Sequence, residues 1–270
     1  MNRALLEAID LHYAYPGAAA AAALCPGQRV EALAGASLVV RAGTCLALIG
    51  RNGCGKSTLL LHFNGTLRPS QGEVRFAGSL LDTSRRGLAA LRQNVALVFQ
   101  DPDDQLFAGT LAQDVSFGPL NLDLDATEAS RRVTEALESV GLTSFADLPL
   151  HMLSHGQRKR AAIAGGLAMR PRVLVLDEPT AGLDPEGVET LLTHLEALQR
   201  QGLTIVFSTH DIALARSWAD EAAIMQNGRV VACGEARSIL DNAALLRDAG
   251  VQPACRERRR AGRREASGAA

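Results

Sequence analysis

Glycines, a lysine and hydroxyl residues stand together in Gly50-Arg51-Asn52-Gly53-Cys54-Gly55-Lys56-Ser57-Thr58. The spacing is that of G-x-x-x-x-G-K-[ST], with Gly50, Gly55, Lys56 and Ser57 in the fixed positions. The chemistry of such a segment is anion binding. Its glycines let backbone N–H groups curl round a phosphate, and the start of a helix adds about half a positive charge. Gly50, Asn52, Gly53, Cys54, Gly55, Lys56, Ser57 and Thr58 are therefore the expected nucleotide-binding residues. Lys56 would reach the outer phosphates and Ser57 would ligate Mg²⁺. The neighbours supply the required setting: Cys45–Ile49 reads as a short buried strand, and Leu59–Phe63 continues as a helix. A glycine-rich turn that binds nothing would have the same look, so the reading depends on partner motifs elsewhere.

Those partners follow in one order. They are Gln100, then Leu153-Ser154-His155-Gly156-Gln157, then Leu176-Asp177-Glu178-Pro179, then Ala181-Gly182-Leu183-Asp184, then His210. The series resembles the ATP-binding cassette (ABC) family of transport ATPases over about residues 5–245. Leu153–Gln157 is its most specific part, because other P-loop ATPases lack such a segment. An unrelated P-loop kinase or GTPase would leave it unexplained. By itself an Asp-Glu pair after a strand is an ordinary helix N-cap, and a lone histidine is more often structural. Their place in the series is what assigns them.

The resemblance implies a role for each. Asp177 would hold Mg²⁺ through its water shell, together with Ser57 and Gln100. Glu178 would polarise the attacking water, and His210 would hydrogen-bond the γ-phosphate. Gln100 would reach Mg²⁺ and the attacking water, and would link the nucleotide to a partner subunit. Tyr15 resembles the aromatic that stacks on adenine, with Tyr13 as its competitor. Ser154, His155, Gly156 and Gln157 would close over ATP held by a second cassette packed head to tail, and Asp184 would be the residue of the family's D-loop. A homodimer is the symmetric solution for a chain with one cassette. His155 stands where glycine is usual, and a protonated imidazole would add charge near the γ-phosphate at low pH. His12, His62, His151 and His194 read as solvated or satisfied side chains. Cys54, inside the phosphate loop, reads as a thiol open to solvent, reactive and protected by ATP.

A narrower resemblance rests on Phe99-Gln100-Asp101-Pro102-Asp103-Asp104-Gln105-Leu106-Phe107, Val115-Ser116-Phe117-Gly118-Pro119 and Ala162-Ile163-Ala164-Gly165. These stretches look like the ATPases of energy-coupling factor importers, nearest the cobalt/nickel branch. The implied partners are a second ATPase, a membrane coupling subunit and a membrane substrate-capture subunit. The implied place is the cytoplasmic face of the cell membrane. An ATPase of a vitamin importer of the same type, such as one for biotin, is the alternative. A soluble cassette ATPase acting on nucleic acid or ribosomes fits less well, because those carry two cassettes or a coiled-coil insertion and a basic face.

The elements that must position these residues read as α/β: a P-loop NTPase fold with a mainly parallel core sheet, an antiparallel β subdomain and an inserted helical subdomain at about 106–170. Residues 5–15, 32–40, 45–49, 73–76, 95–99, 172–177 and 204–208 read as strands. Ala222–Met225 and Arg229–Ala232 read as a hairpin around Asn227-Gly228. Asp125 with Glu128 resembles a capping box for a helix that Gly141 closes. Pro185 opens another, which buries Leu191, Leu192, Leu195 and Leu198 and ends at Gly202. The run Ala18–Ala23 reads as a lengthened hairpin loop.

Composition agrees. The chain has 270 residues, 47% hydrophobic and 4% aromatic, which suffices for one large α/β domain with a subdomain. A formal net charge of −1 implies no general polyanion binding. Residues 246–270, with Arg256, Arg258, Arg259, Arg260, Arg263 and Arg264, read as a basic, disordered tail, with anionic lipid as the lesser alternative contact. Cys25, Cys45, Cys54, Cys233 and Cys255 form no C-x-x-C pair, which favours a reducing compartment. No signal peptide is visible, and no apolar run approaches the roughly 18–20 residues that span a bilayer.

Overall fold

The computed structural model describes residues 3–17, 31–122 and 124–251. Its strands are β1 (Ala4–Tyr13), β2 (Leu33–Arg41), β3 (Cys45–Ile49), β4 (Gln71–Phe76), β5 (Ser79–Leu80), β6 (Val95–Val98), β7 (Val173–Leu176), β8 (Thr204–Thr209), β9 (Glu221–Gln226) and β10 (Arg229–Glu235). Its helices are α1 (Lys56–Phe63), α2 (Arg85–Asn94), α3 (Leu111–Leu120), α4 (Ala126–Ser139), α5 (His155–Leu167), α6 (Pro185–Arg200), α7 (Ile212–Trp218), α8 (Ala236–Leu240) and α9 (Ala243–Asp248).

Two sheets follow from two hydrophobic patterns. In β2, buried Ala36, Leu38 and Val40 alternate with exposed Ser37, Val39 and Arg41, the signature of a sheet with one covered face. That sheet is antiparallel, in the order β2-β1-β4-β5. β3, β7 and β8 are buried at every position, as strands covered on both faces must be. They lie in the second sheet, β10-β9-β3-β8-β7-β6, parallel from β9 to β6 with β10 added antiparallel at the edge. Cys45, Ala47, Ile49, Leu174, Leu176 and Phe207 face a helical layer that includes Leu191, Leu195 and Ile163. Leu46, Leu48, Val175 and Val206 face the antiparallel sheet and α1. The parallel sheet is thus the middle layer, and the C-terminal ends of β3, β6, β7 and β8 open on one side of it.

β6 and β7 are neighbours in register, with Val95 opposite Val173, so α3, α4 and α5 form an excursion between adjacent strands. α3 starts with a full capping box between Thr110 and Gln113. At α4, Asp125 does accept from the Glu128 N–H, but the Glu128 carboxylate does not return the bond. It is taken by Arg132 and Arg131, which hold its pKa down at about 2. The turn at Ala42-Gly43 joins strands of different sheets, and α2, capped by Ser84, has no counterpart in the sequence expectations. In α6, Leu191 and Leu195 are buried while Leu192 and Leu198 are only partly so. The β9–β10 hairpin has Asn227 at φ 49° and Gly228 at φ 70°, as a two-residue type I′ turn requires. The chain stays packed beyond residue 246: α9 runs to Asp248, and Val251 is buried. The Ala18–Ala23 run and the arginines from Arg256 onward lie outside the described residues.

Candidate functional site

The phosphate-loop segment leaves β3 at Gly50 and enters α1 at Lys56. A Cβ on Gly50 would lie 2.4 Å from the Met225 carbonyl oxygen, and one on Gly55 (φ 111°) would lie 2.5 Å from that of Ala32. Close backbone approach, as well as turn geometry, therefore demands glycine at both. Gly55 caps α1 without a side chain, which leaves the N–H groups of the first turn for a ligand. The Lys56 Nζ donates to the Gly50 carbonyl at 2.9 Å and lies 3.5 Å from Glu178 Oε1, with both side chains buried.

The acid pair follows β7. Ser208, at the buried end of β8, donates from Oγ to Asp177 Oδ1 and accepts from the Glu178 N–H at 2.8 Å. One hydroxyl thereby fixes both acids, and the second Asp177 oxygen is left for a ligand. Glu178 is 7% exposed and adopts φ 45°, a left-handed conformation that costs a residue with a side chain about 1–2 kcal/mol. Its Oε2 lies 3.0 Å from Nδ1 of His210, just past the end of β8. A carboxylate only accepts, so this nitrogen carries the proton. The Glu178 carboxylate is thus clamped between an ammonium and an imidazole at the carboxyl ends of three parallel strands, where ligands of such sheets bind.

Gln100, exposed just beyond β6, connects two clefts. One is lined by Ser57, Gln100, Asp101 and Asp177. The other, of about 400 Å³, is lined by Tyr15, Asn52, Gly53, Gly55, Lys56, Ser57, Thr58, Gln100, Glu178 and His210. Its size suits a small-molecule ligand. Tyr15 is 45% exposed and its hydroxyl meets Thr58 Oγ1 at 3.2 Å. Tyr13 is wedged edge-on between Tyr15 and His62, 5.1 Å from each, which leaves Tyr15 as the ring that faces the cleft. His62 is buried, its Nδ1 2.7 Å from the Thr58 carbonyl, and burial pushes its pKa down.

Ser154, Gly156, Gln157 and Asp184 stand elsewhere. They line a separate cleft with Arg160, Gly182 and Gly187, and none of them lines the one that holds Lys56. Ser154 and Gln157 form a reciprocal capping box at the start of α5, and the Asp184 carboxylate caps α6 through the Gly187 N–H. Because Ser154 Oγ serves there as an acceptor, its own proton remains available to an anion. His155 lines both this cleft and that of Gln100; its ring packs on Gly182, where a Cβ would come within 3.0 Å of Nε2. Sequence reasoning missed Ser208, Lys159 and Gln105. Ser208 carries a faint signal as a hydroxyl closing an apolar strand. Lys159 carries none, since it acts on backbone groups of a distant segment, and Gln105, although inside the Phe99–Phe107 stretch, gains its role only from bonds to the Phe99 N–H and the Ala162 carbonyl.

The expectation of an open Cys54 thiol does not hold. The side chain turns inward, where Cys54 is 8% exposed, packs with Leu59, Leu60 and Met225, and crowds Gly50. Reaction requires an exposed thiolate, so maleimide should modify Cys54 at least about tenfold more slowly in folded than in urea-unfolded protein. Mass spectrometry of labelled peptides reads this directly. Equal rates in the two states would put the sulfur on the surface.

The family described as ABC transporter matches residues 33–181. The cobalt import ATP-binding protein CbiO of Rhodobacter capsulatus is 51% identical over 249 residues, 92% of this chain and 85% of its own. The energy-coupling factor transporter ATP-binding protein EcfA of Methanocaldococcus jannaschii is 44% identical over 248 residues, 92% of this chain and 85% of its own. Among solved structures, cbiO1 of Clostridium perfringens, described as part of the ABC transporter complex cbiONQ, superimposes with a TM-score of 0.78 at 40% identity, covering 92% of this chain and 95% of that one. A dimeric ATP-binding cassette in a post-hydrolysis state, bound to ADP and Pi, gives 0.75 at 26% identity over 86% of this chain and 99% of its own.

Proposed function

We propose, from the premise that the chain belongs to the ABC transporter family, that it is the energy-coupling ATPase of an energy-coupling factor importer whose cargo is cobalt or nickel. As a family member it is an ATPase that powers transport. The observation that carries the mechanism is the Glu178 carboxylate held between Lys56 and His210. ATP phosphates would take the loop N–H groups and the Lys56 ammonium, which frees a Glu178 oxygen to polarise the attacking water. His210 would steady the other oxygen through its Nδ1–H; to bond a γ-phosphate oxygen as well, its Nε2 must also carry a proton. Little covalent work falls to the protein in phosphoryl transfer; positioning and charge supply the rate. Ser57, Asp177 and Gln100 bring oxygen donors to one cleft, the hard donor set that fits Mg²⁺, which when bound would neutralise phosphate charge. Tyr15 would stack on adenine.

The reading of the partners rests on the surface beyond Gln100. Phe107, Phe117, Leu120 and Met152 are exposed, and the first two rings meet edge-on at 4.9 Å. Asp114, nearly buried, accepts from the Phe107 and Ala108 N–H groups and so fixes this exposed aromatic loop. Exposed apolar residues that follow Gln100 in the chain suit a membrane coupling subunit. No helix among the described residues is long and apolar enough to cross a membrane. The chain would sit peripherally on the cytoplasmic face, with a second ATPase, the coupling subunit and a substrate-capture subunit.

Cargo is read from the relative named for cobalt import, while the name EcfA carries no cargo and favours the importer type alone. Cells lacking this chain should lose uptake of radiolabelled Co²⁺ or Ni²⁺. Unchanged uptake of both, with loss of a vitamin such as biotin, would move the chain to another branch of the same type.

A further inference from the structure

We infer that Lys159 is a positioning residue: it holds the backbone of Glu178 and so ties the seating of α5 to the aim of the carboxylate. This rests on reading Glu178 as the group that polarises water.

Lys159 lies two residues beyond Gln157 on α5 and is 4% exposed. Its Nζ donates to the carbonyls of Glu178 and Pro179, each at 3.1 Å. Burial draws its pKa down, and the charges of Asp101 and Glu178 oppose that shift. A buried ammonium spent on two carbonyls is costly unless the arrangement serves something. Here the first acceptor belongs to the residue whose side chain faces Lys56 and His210, and that residue is in the left-handed region. Ser208 fixes its N–H; Lys159 and the Ala181 N–H fix its C=O. The peptide groups on both sides are thus pinned, and the direction of the side chain is set.

The same helix is tied to the Gln100 segment. Gln105 accepts from the Phe99 N–H at 3.2 Å and donates to the Ala162 carbonyl at 3.0 Å, and Arg158 Nε lies 3.3 Å from Asp103. A shift of α5 is therefore passed to Glu178 through Lys159 and to the Gln100 segment through Gln105. A helix whose first residues face a second nucleotide would in this way report on its own.

Lys159→Met keeps the stem and removes the donors. Its kcat for ATP should fall at least tenfold, with KM and the affinity for a fluorescent ATP analogue within twofold of the parent. Combined with Ser208→Ala, which loosens the other end of the same residue, the loss should be smaller than the product of the single losses. Lys159→Gln, whose amide falls short of both carbonyls, takes its place should the methionine variant not fold. A kcat within twofold of the parent overturns the inference. So does a loss that tracks nucleotide affinity and multiplies with that of Ser208→Ala, for Lys159 would then be packing alone. Glu178→Gln in the same assay separates the two readings. Parent-like turnover there removes the role of Glu178 and this inference with it. An inactive Glu178→Gln beside an unimpaired Lys159→Met removes this inference only.

Discussion

Glu178→Gln should lower ATP turnover by roughly 10²–10⁴-fold, the usual share of a positioned acid or base, and leave ATP binding intact. The amide is isosteric, and the site tolerates it for a definite reason. Its oxygen can keep the contact with Lys56, 3.5 Å away, while its NH₂ faces Nδ1 of His210. That nitrogen then becomes the acceptor by a change of tautomer. The fold and the phosphate contacts survive, and what disappears is a negatively charged oxygen able to draw a proton from water. With hydrolysis blocked and binding preserved, closed dimers should accumulate in ATP and Mg²⁺. Gel filtration with and without nucleotide measures the dimer, and phosphate release measures turnover. Parent-like turnover would sink the assignment of Glu178.

The phosphate loop was legible because its chemistry is local. Consecutive N–H groups, a lysine and a hydroxyl must come from adjacent residues, so their spacing survives in the sequence. The parallel strands were legible for a similar reason: β3 and β7 are apolar throughout, β8 is apolar from Ile205 to Phe207, and each leads into a functional residue. What failed was whatever depends on an approach from elsewhere. The direction of the Cys54 side chain is set by the closeness of Gly50 to the Met225 carbonyl, a contact between β3 and β9 ends. The Glu128 carboxylate was taken by Arg170, from beyond α5, as well as by its helix neighbours. α2 buries little beyond Leu91, so its apolar signal is faint. In the sequence Lys159 is one cation among three, between Arg158 and Arg160. Its identity as a buried donor exists only once β7 and its acid turn are laid against α5.

Mixing Lys56→Ala with Ser154→Ala should restore activity that neither variant has alone. Each homodimer should be depressed by about 10²–10³-fold, the loss typical of removing one preorganised donor to developing charge. Lys56 lines the cleft with Glu178 and His210, and its removal also leaves the buried Glu178 carboxylate without its ammonium. Ser154 lines the separate cleft with Gly182 and Gly187. If each ATP lies between the Lys56 cleft of one chain and the Ser154 cleft of the other, the two lesions of a heterodimer fall in the same site. The other site keeps a native Lys56 and a native Ser154. Random exchange makes roughly half the dimers mixed, so about a quarter of all sites are intact in a two-fold assembly. Independent sites then give about a quarter of the parent activity. Differently tagged chains, purified over both tags, show that the heterodimer is what carries it. Recovery is incompatible with a site completed inside one chain, because both lesions would then be present in every heterodimer, one per chain, with no site intact. No recovery in heterodimers shown to form excludes independently working shared sites.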